Sequence, residues 1–318
     1  MASKHSITMR LLARVTSRIA LLPVLLLCIS MLQKVHAEDL EVVESKYNTI
    51  IINKRENYIS MRFGYNTTLY TESIYNADDP SELPVEYTRK MLVGLAYSRD
   101  VESIVEIGSG GGRFATFVSS LLQGVGTVTT VELDEEVIRL SEKYFGLVNR
   151  DNLRIVHSDG RMFLMETNDK YDIIVVDAYR GPFVPFHLLT KEFYDIAMER
   201  LSDGGVLVQN VEPSTMLFES AISTIASVFD NIDIYPAGGN VVVVAYNGPE
   251  KSNEELQAQA VAIDANYRPR YSISEMLSDR LLIDRSKVTA EALTDDFAPV
   301  EYLRSIEMHN RRYEEITK

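Results

Sequence analysis

A chain of 318 residues, 46% hydrophobic and 25% charged, is long enough to bury one large core or two modest ones. Its formal charge of −14 argues against nucleic acid or an anionic membrane surface as a partner, because both are bound by clustered Lys and Arg. With Cys28 the single cysteine, an internal disulfide and a multi-cysteine zinc site are excluded.

Residues 1–37 differ in kind from the rest. Lys4, Arg10, Arg14 and Arg18 precede the apolar run IALLPVLLLCISML (19–32), and Val35-His36-Ala37 follows before an acidic stretch. This is the layout of a secretory signal cut after Ala37, because the apolar run is short of the roughly 20 residues that span a bilayer. Export to a periplasmic or extracellular space is the expectation; if the segment is uncleaved, it anchors the chain to a membrane. Residues 38–99 alternate apolar with polar positions, broken at NKREN, and predict a small β-hairpin domain that ends in a helical segment over 85–97. Asn66-Thr67-Thr68 has the form of a glycosylation sequon.

From residue 100 to 248 the pattern changes. SIVEI, GTVTTVEL, LRIVHS, YDIIVVDA and GGVLVQNV are apolar runs separated by helical spacing, and NIDIYP and NVVVVAYN follow with only a turn between them. Such runs, alternating with helices, predict an α/β, Rossmann-like fold: a seven-stranded, mostly parallel sheet covered on both faces, its last two strands an antiparallel edge pair. Residues 249–318 read as a charged helical extension ending in NRRYEEITK.

Ligands of open α/β sheets bind beyond the carboxyl ends of the strands. Those ends carry Glu106, the loop Gly108-Ser109-Gly110-Gly111-Gly112, Glu132, Asp159-Gly160 and Asp177. The dinucleotide fingerprint fails, because its third glycine position is Arg113. Glu106, Gly108, Gly110 and Gly112 instead fit the S-adenosylmethionine loop, where missing Cβ atoms let backbone approach the ligand. Glu132 can accept both ribose hydroxyls and Asp159 the adenine amino group, so a nucleoside thioether is the expected small-molecule partner. No His, Cys or Asp cluster has metal spacing. His157 reads as a core histidine, and Asp295-Asp296 either fold back over the site or cap a helix.

The stretches VELDEEVI, SDGRMFL, YDIIVVDAYR and LLTKEFYD resemble the spermidine synthase (polyamine aminopropyltransferase) family. The resemblance implies a small amino-terminal β-domain on a seven-stranded nucleotide-binding domain with the Rossmann-like, S-adenosylmethionine-dependent methyltransferase fold. It implies a chain that in the family is usually dimeric, and transfer of an aminopropyl group from decarboxylated S-adenosylmethionine to a polyamine. It also exposes departures. The family's acid in the glycine loop is Gly111 here. Of its two acids after the fourth strand, Asp177 is kept and the second is Arg180; the YTRKML run places Thr88, Arg89 and Lys90 where the family grips its amine. Asp177 is the candidate base. Arg89, Tyr179, Arg180 and His187 are candidate substrate contacts, with Arg180 pairing Asp177 or binding an anion. Arginines in place of acids make the pocket less favourable to a polycation, so the acceptor is expected to be other than putrescine. A methyltransferase using intact S-adenosylmethionine and an exported non-catalytic binding module are the alternatives.

Overall fold

The computed structural model describes residues 37–296 apart from positions 66, 182, 216 and 284. The signal-like segment with Cys28, Asn66 of the sequon and the tail NRRYEEITK lie outside the described residues. Among the described residues no helix is long and apolar enough to cross a membrane.

The chain opens with four antiparallel strands in sequential order, β1 (Ala37–Glu44), β2 (Thr49–Arg55), β3 (Tyr58–Tyr65) and β4 (Thr68–Asn76). The expected break at NKREN is the β2–β3 turn, where Arg55 pairs with Tyr58. One face of this sheet presents Ile50, Ile52, Ile59, Met61 and Phe63, all buried. Between β3 and β4 the register passes from Met61 opposite Ser73 to Arg62 opposite Thr71, so Glu72 faces no residue of β3. That extra residue is a β-bulge, a device that re-aims a side chain.

Helix α1 (Glu86–Lys90) runs into a 3₁₀ turn over Met91–Ala96 whose residues are all buried. Sequence pattern grouped this segment with the first strands, but Met91, Leu92, Val93, Leu95 and Tyr97 belong to the core of the second sheet. The reason is contact: a Cβ on Gly94 would stand 2.4 Å from Val208 Cγ2.

The second sheet is built from β5 (Ser103–Ile107), α2 (Arg113–Leu121), β6 (Thr127–Glu132), α3 (Glu135–Tyr144), β7 (Leu153–His157), α4 (Gly160–Glu166), β8 (Tyr171–Val176), α5 (Lys191–Arg200), β9 (Leu201–Val211), α6 (Phe218–Val228), β10 (Asn231–Ala237) and β11 (Asn240–Tyr246). After α7 (Asn253–Tyr267), capped by a reciprocal Ser252–Glu255 box, and the short α8 (Ile273–Met276), β12 (Leu281–Leu282) completes it. Strand order is β12-β10-β11-β9-β8-β5-β6-β7, with β7, β6, β5, β8 and β9 parallel and the rest antiparallel. The sheet therefore has eight strands rather than the expected seven, because Leu281–Leu282 pairs outside β10 and takes the edge. Every residue of β8 is buried, as a central strand covered on both faces requires. The first sheet packs on α3 through Val137, Leu140 and Phe145. Burial of each such side chain stabilises the fold by roughly 1.5–3 kcal/mol.

Candidate functional site

Strand order reverses where β5 meets β8 and β6, so the loops after these strands diverge and leave a crevice. The first sheet roofs it, giving a cavity of about 610 Å³, ample for a nucleoside-sized ligand. Gly108 lets the loop after β5 pass there. Its φ is +88°, and a Cβ would stand 2.5 Å from the Asp177 carbonyl.

The floor is acidic. Glu132, at the end of β6, accepts from the Ser109 amide (3.0 Å), the Ser109 hydroxyl (3.3 Å) and the Asp134 amide (3.0 Å), while burial raises its carboxyl above the ordinary range. Glu106 is 1% exposed and accepts from Thr130 Oγ1 at 2.6 Å; burial pushes it well up. Asp177 accepts from Asn210 Nδ2 at 2.9 Å and from the Tyr87 hydroxyl, yet burial dominates and pushes its carboxyl up to about 6. Asn210 in turn accepts from Asn240 Nδ2 at 2.8 Å, which fixes the direction of its amide. Asp159 caps α4 through the Met162 amide (3.0 Å), and its second oxygen meets His187 Nε2 at 2.9 Å; that contact is the main cause holding its carboxyl below the ordinary range.

The cavity gathers Glu106, Gly108, Gly110, Glu132, Asp159, Gly160, Asp177, Tyr179, Arg180 and His187 from the sequence-predicted set. It does not gather Arg89 or Gly112. Arg89 donates to the carbonyls of Leu83 and Pro84 and lies over the Tyr271 ring, a correction to its expected substrate role with a physical cause: α1 turns that face toward α8. Lys90, also expected near the site, is buried and pairs with Asp279 at 2.5 Å. Gly112 starts α2, where a Cβ would collide with Leu147. Arg180 is exposed at the rim and makes no ion pair with Asp177 among the described residues. His157 is exposed and contacts the Leu133 carbonyl. Asp295 pairs with Arg161 and does not line the cavity.

Glu72, Tyr87, Asn210 and Asn240 escaped the reading of the sequence. The register of β8 with β9, Val176 opposite Gln209, puts Asn210 beside Asp177, and no local pattern announces that pairing. Tyr87 was in view within YTRKML, but its reach to Asp177 depends on α1 packing against β10 and β11.

A family profile described as the spermine/spermidine synthase domain matches residues 86–237. The polyamine aminopropyltransferase of Vibrio vulnificus is 28% identical over 272 residues, covering 82% of this chain and 90% of that one. That of Chromobacterium violaceum is 31% identical over 199 residues, 61% of this chain and 75% of its own length. The chain belongs to the polyamine aminopropyltransferase family. The fold agrees. A probable spermidine synthase from Corynebacterium glutamicum superposes with a TM-score of 0.64 at 21% identity, covering 81% of this chain and 97% of its own. A spermidine synthase in complex with the transition-state analogue AdoDATO gives 0.62 at 19% identity, over 78% and 86%.

The glycine loop of this family member is shaped by its roof. A side chain on residue 111 would meet Ser73 Oγ at 2.5 Å and Phe145 Cδ1 at 2.7 Å, so β4 occupies the space of the acid that the family resemblance led one to expect. Neither Arg89 nor Lys90 lines the cavity, so neither makes it unfavourable to amines as expected.

Proposed function

We propose that this protein moves an alkyl group of the aminopropyl type from an adenosyl sulfonium donor to an amine other than putrescine. The observation that carries the reading is the convergence of the Gly108–Gly110 loop, Glu132 and Asp177 on one cavity beyond three adjacent strand ends. Glu132 and Asp159 would hold the ribose and adenine of S-adenosylmethionine or its decarboxylated form. The neutral amine of the acceptor forms a bond to the carbon next to the sulfonium. The carbon–sulfur bond breaks with its electron pair going to sulfur, and methylthioadenosine leaves. The proton released from the new ammonium passes to Asp177, the cavity carboxylate held by Asn210 and Tyr87. Arg180 at the rim supports an acceptor unlike a short diamine, because its guanidinium repels a second ammonium near the mouth.

The test is product analysis. The purified chain, given decarboxylated S-adenosylmethionine and a panel of mono-, di- and triamines, should release methylthioadenosine and one alkylated amine, and Asp177→Asn should slow the release of both by about two to four orders of magnitude. Absence of methylthioadenosine with every amine overturns the reading.

A further inference from the structure

Glu72 is the bulged residue of β4, set opposite no partner on β3 and lining the cavity. The Gly181 amide donates to its carboxylate, but Oε1 is buried without any hydrogen-bond partner. An unpaired buried carboxylate oxygen is a costly feature unless a ligand completes it. The charges that act on it most strongly are Asp177, Glu132 and Glu212, all acids, and together with burial they raise its carboxyl well above the ordinary range. Among the described residues no three His, Cys, Asp or Glu side chains are placed to share a metal ion. What suits a buried carboxylate among three other acids is a compact organic cation with several N–H donors.

Position narrows this further. The backbone of Glu72 lies against the glycine loop, its carbonyl 3.8 Å from where a Cβ on Gly110 would stand, while its carboxylate reaches the Gly181 amide inside the same cavity, so β4 supplies a cavity carboxylate that the loop itself lacks. We propose that Glu72 is a specificity-determining counter-charge for a primary ammonium on a short alkyl chain. That ammonium is carried either by the aminopropyl end of the donor or by the acceptor. The inference rests on the transferase reading above.

Calorimetric titration of the full chain and of Glu72→Gln separates the sources. The ligands are methylthioadenosine, decarboxylated S-adenosylmethionine, and spermidine added to the methylthioadenosine complex. Methylthioadenosine has no ammonium and should bind both proteins equally. A loss of roughly tenfold to a hundredfold in Glu72→Gln for the decarboxylated donor puts the ammonium on the donor. The same loss confined to spermidine puts it on the acceptor, and both results support the proposal. Unchanged affinity for both amines overturns it, as does a parallel loss for methylthioadenosine, which would make Glu72 a structural residue. If the wild-type chain binds no adenosyl ligand at all, the transferase reading falls and this inference with it. If methylthioadenosine binds but nothing depends on Glu72, this inference falls alone.

Discussion

Asp177 holds two opposing demands in one carboxyl. Burial pushes it up to about 6, while hydrogen bonds from Asn210 and Tyr87 pull it down. A base with that value is deprotonated above about pH 6, so kcat/KM should rise about tenfold per pH unit below 6 and level off above it. Replacing Asn210 by Ala removes a bond that favours the carboxylate and should move this limb to higher pH; an unmoved limb would show that Asp177 is not the titrating base. Stability runs the other way. Between the ordinary carboxyl value near 4 and about 6 the native state binds more protons than the unfolded chain, so stability falls as pH rises through that window. Asp177→Asn should therefore lose about two to four orders of magnitude in kcat and yet melt a few degrees higher at pH 8, read by thermal denaturation. The acids were legible in the sequence because they close apolar runs, and in a parallel sheet every run closes on the same edge. Asn210 was not legible, because its partner is set by how far β9 slides along β8.

Elements decide which residues the strand ends are allowed to carry. β4 descends on the glycine loop closely enough that Ser73 and Phe145 together fill the direction a side chain on residue 111 would take. Gly111→Asp, which restores the family's acid on paper, should thus fail to raise activity. It should destabilise the fold by about 1–3 kcal/mol through overpacking, seen as a lower Tm. Shortening Ser73 to Gly would relieve only part of that cost, because Phe145 Cδ1 remains 2.7 Å away. A well-folded, more active Gly111→Asp protein would refute the placement of β4. The β2–β3 hairpin and the βα units of the second sheet were legible as period and turn chemistry. The bulge at Glu72 was not, since three polar residues in a row within LYTESIY do not say which one is extra, and only pairing with β3 reveals it. The two-residue β12 escaped for a similar reason: it is too short to carry a period and is a strand only because β10 offers it an edge.

Across the whole molecule the cavity depends on segments far apart in sequence, and the last described residues return to the helices beside it. Ser223 donates to the Ala290 carbonyl, the Leu293 amide donates to Thr224 Oγ1, and the Lys191 amide donates to the Leu293 carbonyl, so residues 290–295 lie across α5 and α6. Leu293 is fully buried in the core beneath them. Asp295 then grips Arg161 with both oxygens, at 2.7 and 2.5 Å, and Arg161 donates onward to the His187 carbonyl at 3.3 Å. His187 is the residue that meets Asp159. The two ends of this segment should separate by experiment. Leu293→Ala opens a cavity in the core and should cost about 2–5 kcal/mol, lowering Tm. Asp295→Ala leaves the core intact and frees a bidentate arginine at the back of the His187 loop. It should weaken methylthioadenosine severalfold in calorimetric titration while Tm falls by at most a few degrees. If Asp295→Ala instead lowers Tm as far as Leu293→Ala and leaves affinity unchanged, the segment braces the fold alone, and His187 is positioned by its own loop.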